Sequence, residues 1–178
     1  MIVIVVCLAV IVSILSGGIY FQYRRHSGKY REIAMACCEP GSWRTSFFLR
    51  TLVLFGKIGG RTMRYSVFGD DRKKEEANSY LLLEYPVRRN FRFYTGSDVE
   101  LADPDIRGSL AELQAIPEFR ALIVTSRDTP LLGSMIARPL GFGYKPGLLL
   151  WKLSSSPFDP EVIKNDFLML VRLAERGI

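Results

Sequence analysis

"LFGKIGGRTMRYSVF" (residues 54–68) holds the reading on which the fold turns. Gly59-Gly60 is a two-residue pair of the kind that supplies positive φ at both central positions of a tight hairpin turn. In the arm that follows, Met63, Tyr65 and Val67 alternate with Thr62, Arg64 and Ser66. A period of two is that of a half-buried strand. The arm before the turn belongs to a longer apolar run containing Trp43, Phe47, Phe48, Leu49, Leu52, Val53, Leu54 and Phe55, broken by Arg44 and Arg50. The run is too charged to cross a bilayer. It reads as domain core, or as an amphipathic segment at a membrane surface whose arginines reach headgroups.

On the C-terminal side, "GDDRKKEEAN" is a polar loop, with Asp70 and Asp71 as solvated loop charges. "SYLLLEY" and "NFRFYT" read as two further strands with a turn at Pro86, which continues an antiparallel meander. Three helix starts then share one device, a capping side chain followed by proline: Asp103-Pro104, Thr129-Pro130 and Asp159-Pro160. They predict helices over 104–115, 129–138 and 160–176. "FRALIVTS" and "GLLLWKLS" read as strands between them. The last helix gathers Ile163, Phe167, Leu170, Val171 and Ala174 on one face, with Lys164, Asp166, Arg172 and Glu175 turned away from it. The pattern predicts an α+β fold: one compact domain over 43–178 with an antiparallel β meander and three helices.

On the N-terminal side, Met1 to Tyr23 carries no ionisable side chain other than Cys7 and the tyrosines. About 20 apolar residues at 1.5 Å each cross a hydrocarbon layer of about 30 Å. Tyr20, Phe21 and Tyr23 fall at headgroup depth, and Arg24, Arg25, Lys29 and Arg31 follow. Residues 1–23 are therefore expected to form a single N-terminal transmembrane helix. Residues 24–42 are expected to form a basic juxtamembrane helix or linker, helical over 29–38 and ended by "EPG". A cleaved signal would carry a basic n-region, a shorter apolar core and a small-residue cleavage site. "AMACC" lies behind charged residues, too far from the apolar run to serve. Basic residues flank the apolar run only on its C-terminal side. The expected topology is an inner- or plasma-membrane protein with its N-terminus outside and its domain cytoplasmic. Ala9, Ser13 and Gly17, four apart, form a small-residue ladder on which another membrane helix could pack.

The net charge of +6 is concentrated beside this segment. Arg24 to Arg64 holds nine basic residues against Glu32 and Glu39, a balance of +7, and the remainder carries −1. Charge placed this way points to anionic lipid headgroups rather than to nucleic acid, with Arg24, Arg25, Lys29, Arg31, Arg44 and Arg50 as the membrane-surface residues. "PVRRNFRFY" interleaves arginines and aromatics, but on a strand Phe91 and Phe93 face the core while Arg92 faces water.

Catalytic chemistry is not evident. The single histidine, His26, lies in the basic juxtamembrane cluster, which removes a Ser-His-Asp or Cys-His arrangement from the domain. Cys37-Cys38 with one distant histidine does not make a zinc site, and the pair reads as small apolar packing. Asp103 and Asp105 lack a third carboxylate. "GFGYKPG" (141–147) follows a predicted helix and precedes a strand, the reverse of a dinucleotide loop. Phe142, Tyr144 and Trp151 around it are residue types that anchor protein contacts. No catalytic residue, cofactor, metal or small-molecule substrate is evident. The expected function is a non-catalytic accessory subunit that stabilises a larger integral membrane complex, with other transmembrane subunits and anionic lipid as partners. Respiratory and photosynthetic assemblies commonly carry such single-pass subunits. The alternatives are a self-standing membrane-anchored module that recruits a soluble partner or binds anionic lipid, and an enzyme of unfamiliar type.

Overall fold

The computed structural model describes residues 7, 17, 20, 24, 26–48, 51–68, 77–88, 90–99, 104–126 and 146–176. Among these, seven strands form one fully antiparallel sheet: β1 (Arg44–Phe48), β2 (Thr51–Ile58), β3 (Arg61–Phe68), β4 (Ala77–Glu84), β5 (Phe91–Tyr94), β6 (Phe119–Thr125) and β7 (Gly147–Ser154). Three helices accompany it: α1, described continuously over 26–37, α2 (Pro104–Gln114) and α3 (Pro160–Glu175). The compact α+β domain is as expected, although one of the three helices is α1. The helix expected over 129–138 lies outside the described residues.

The hairpin forms as its glycines require. Gly59 and Gly60 have φ of 56° and 73°, and β2 pairs with β3 from Ile58↔Arg61 to Val53↔Ser66. The apolar run before it is two paired strands, with Leu52, Val53 and Leu54 in the core. The meander runs β1-β2-β3-β4 and stops there. β5 does not pair with β4, contrary to the continuous meander expected. The strand order is β1-β2-β3-β4-β7-β6-β5, and β7 takes the open edge of β4 along its whole length, Ala77↔Ser154 to Glu84↔Gly147. The reason lies in the side chains. Continuous runs such as Leu81-Leu82-Leu83 and Leu148-Leu149-Leu150 need cover on both faces, so their strands occupy the centre of the sheet. β5 has four residues and exposes Arg92 and Tyr94, so it suits an edge.

All three helices add to one core on one face of the sheet. Tyr30, Ile33, Ala34 and Cys37 of α1 join Leu110 and Leu113 of α2 and Ile163, Phe167, Leu170, Leu173 and Ala174 of α3. They close over Leu52, Leu54, Met63, Tyr65, Leu81, Leu83, Leu122, Leu148 and Leu150. Leu173 belongs to this face, and Val171 lies half-buried beside it. α3 starts as its sequence predicts: the Asp159 carboxylate accepts from the Glu161 N–H at 2.9 Å, and Pro160 opens the first turn. The other face of the sheet carries a smaller cluster of Val53, Tyr80, Leu82 and Leu149, with Phe55, Ile123 and Trp151 against it.

Candidate functional site

α1 defines two ends of the domain. Around its first described turns, His26 stacks on Phe158 at 5.9 Å, Lys29 Nζ lies 4.5 Å from the same ring, and Tyr30 meets it edge-on at 5.6 Å. The Tyr30 hydroxyl then accepts from the Val67 N–H at 2.8 Å. At the far end, Cys38 lies over Gly56, whose missing Cβ leaves room for it: a Cβ there would stand 2.4 Å from Cys38 Sγ. The turn that follows is stitched to the β2–β3 hairpin. Glu39 N donates to Lys57 O at 2.9 Å, and the Glu39 carboxylate accepts from the Gly60 N–H. The twelve residues 26–37 rise about 18 Å along the helix axis.

The sequence-predicted residues divide between these ends. Arg24, Lys29 and Arg31 are exposed near the start of α1. Arg44 is exposed near the far end, so the structure does not bring it together with that group. Arg25 and Arg50 lie outside the described residues, as do Ala9, Ser13, Phe142 and Tyr144. Cys7, Gly17 and Tyr20 of the expected membrane span are described, and each is helical and exposed. A Cβ on Gly17 would meet nothing within 4 Å. Among the described residues no helix is long and apolar enough to cross a membrane. Trp151 lies half-buried on the face away from the helices, stacked on Tyr80 at 5.9 Å with Nε1 donating to Asn78 Oδ1 at 2.9 Å.

Two clusters escaped the sequence reading. The first is a buried ionic group at the β7 end near Phe158. Lys152, 5% exposed, donates to both Asp166 oxygens at 3.1 Å and lies 3.5 Å from Glu118 Oε2. Asp166 was expected to face solvent. It faces inward, because the parity that buries Leu148 and Leu150 also buries Lys152, and Asp166 supplies the countercharge. Burial holds the Asp166 carboxyl above the usual carboxylate range in spite of Lys152. At Glu118 burial acts the same way, but the Ser155 N–H and hydroxyl together with Lys152 outweigh it and hold the group below that range. Tyr65 stands beside this group, its phenol donating to Pro157 O, and burial raises its pKa. An inward-parity lysine in "LLLWKLS" was the available signal.

The second is a cleft of about 530 Å³ at the far end of α1, with Trp43, Arg44, Phe55, Lys57, Thr62, Arg64 and Glu84 among its lining residues. Strand register builds it. Arg44, Phe55 and Arg64 are direct cross-strand partners, and Lys57 faces Thr62 in the adjoining row. The Arg44 and Arg64 guanidinium carbons lie 5.3 and 5.2 Å from the Phe55 ring centre. Arg64 is held by the Glu84 carboxylate, with Nε to Oε1 at 2.8 Å.

The cysteines behave as packing. Cys37 Sγ donates to Pro160 O at 3.2 Å, and burial raises both thiols, Cys38 to about 11. Among the described residues, no three His, Cys, Asp or Glu side chains are grouped so as to hold a metal ion. Comparison with protein families, characterised proteins and solved structures finds no match for this chain.

Proposed function

We propose that the chain is a membrane-anchored, non-catalytic accessory subunit that braces a larger membrane complex from its cytoplasmic side. The observation that carries this reading is that α1 is part of the domain core and not a linker. Burying Tyr30, Ile33 and Ala34 contributes on the order of 5 kcal/mol relative to leaving them in water. The Tyr30–Val67 hydrogen bond and the Phe158 contacts add to that grip. The domain is thus held firmly to the helix that follows the expected apolar segment. A rigid brace needs that coupling, whereas a simple tether does not. The small-residue ladder at Ala9, Ser13 and Gly17 supports helix packing within the bilayer.

The test is extraction of the native membrane in mild detergent, native gel separation and mass spectrometry of the band. Co-migration in a large stoichiometric complex is expected. A flexible Gly-Ser stretch inserted between Arg24 and Arg25 keeps both parts of the chain but uncouples them, and should release the chain from that complex. Migration of the unmodified chain alone would end this reading.

The exposed Arg24, Lys29 and Arg31 favour a second reading, binding of anionic lipid at the α1 start. It predicts salt-sensitive binding to anionic vesicles that is lost when the three are replaced together by alanine.

A further inference from the structure

We propose that the cleft at the far end of α1 is a binding site for a phosphomonoester group. Its volume of about 530 Å³ is that of a small-ligand pocket. The charge on its walls is decisive. Arg44, Lys57 and Arg64 supply three positive charges, and Glu84 supplies one negative charge that Arg64 already engages. Neither Arg44 nor Lys57 has a carboxylate partner among the described residues. The resulting excess of two positive charges matches a phosphomonoester, which carries about −1.5 to −2 near pH 7 and offers three acceptor oxygens. A single carboxylate would leave one charge unanswered.

The register sets the reach. Arg44 pairs with Phe55, and Lys57 lies two residues further along β2 on the same face. Such diagonal neighbours stand about 7–8 Å apart at their backbones, which long side chains close readily around one anion. Arg44 supplies a planar fork for two oxygens and Lys57 a point charge for the third. Glu84 keeps Arg64 in place, and Arg64 in turn holds Phe55 as the apolar floor between the two arginines.

The phosphate could arrive on a soluble ester or on a lipid headgroup, and the experiment separates them. Purified full-length chain in neutral-detergent micelles is titrated calorimetrically with glycerol phosphate. In parallel, the chain reconstituted in phosphatidylcholine vesicles is compared with and without phosphatidic acid by thermal unfolding. Saturable binding of glycerol phosphate, weakened about tenfold or more by Arg44→Ala and by Lys57→Ala but unchanged by Lys29→Ala, supports the site with a soluble ligand. Stabilisation by phosphatidic acid alone, with the same dependence on Arg44 and Lys57, supports the site with a headgroup ligand. Both variants alter cationic side chains on the cleft wall, and circular dichroism verifies their fold. Absence of both effects, or binding that Arg44→Ala/Lys57→Ala leaves intact, overturns the proposal.

Discussion

Replacing Lys152 by Met should destabilise the domain, and the deficit should shrink in acid. Met has nearly the same length and fills the same inward position of β7, so packing changes little. What changes is the charge balance. Lys152 donates to both oxygens of Asp166 at 3.1 Å from a site only 5% exposed. Without it, Asp166 is a carboxylate held away from water with no cation at hand, and its least costly escape is to take up a proton. Glu118 has its own bonds from Ser155, and Tyr65 is neutral with its phenol on Pro157 O, so neither replaces Lys152. Protonating an aspartate of ordinary pKa costs about 1.4 kcal/mol per pH unit, which limits the penalty to about 4 kcal/mol at pH 7 and about 1.5 kcal/mol at pH 5. The sign follows from linkage. In the variant the folded-state pKa of Asp166 rises further above its unfolded value, so stability is lost as pH climbs past the unfolded value and regained as pH falls. The assay is urea or thermal unfolding of wild type and variant at both pH values, read as the difference between the two proteins. Because the wild-type carboxyl is itself raised by burial, the deficit should fall below that limit, at about 2–3 kcal/mol, which corresponds to about 4–12 °C for a chain of this size at pH 7. Lys152→Met/Asp166→Leu should recover most of it, because removing both charges leaves no orphan. A deficit below about 1 kcal/mol at pH 7, or one equal at pH 5 and pH 7, would show that Asp166 is solvated and refute this account.

Three further outcomes are expected. Gly56→Ala places a Cβ 2.4 Å from Cys38 Sγ and should cost about 1–3 kcal/mol, with Cys38→Ala restoring much of the loss in the double variant; chemical unfolding measures both. Asp159→Ala removes the oxygen that caps α3 and should lower stability by about 1 kcal/mol, whereas Asp159→Ser should retain most of it. Burial lifts Cys38 to about 11, so at pH 8 it should react with a thiol reagent roughly a hundredfold more slowly than a free cysteine until the domain unfolds; kinetics as fast as those of a model thiol would contradict its packing against Gly56.

Much of the architecture was legible because local rules and global packing agree. Gly59-Gly60, the alternation through Met63 and Tyr65, and the Asp159-Pro160 start each encode their structure within a few residues. Strand order is not local information. "NFRFYT" follows "SYLLLEY" in the chain and invites pairing with it, but the edge of β4 goes to the strand whose leucines also need cover on two faces. That clue lies in the contrast between the triple-leucine runs and the alternating Phe91-Arg92-Phe93 pattern. Of the sites, Arg44 could be named from the basic bias around it, but the cleft could not. Its residues come from four strands and the preceding turn, and only the registers of β1 with β2, β2 with β3 and β3 with β4 bring them together.

The placement of that cleft bears on how the domain would work. His26 of α1 lies beside Phe158, and the turn after α1 lies beside Gly56, which lines the cleft. The exposed Arg24, Lys29 and Arg31 lie within two turns of one helix, and Arg44, Lys57 and Arg64 are brought together by strand pairing. A single basic bias in the sequence is therefore two separate surfaces. The Debye length at physiological salt is about 8 Å, so the exposed charges of one group are largely screened from the other. Under the readings proposed above, the first would answer to headgroups and the second to a phosphate group. α1 is packed into the core, and Tyr30 ties it to Val67 of β3 while the turn after it lies over Gly56 of β2. On the proposed function, such a domain would be fixed at one end and bind at the other without a hinge.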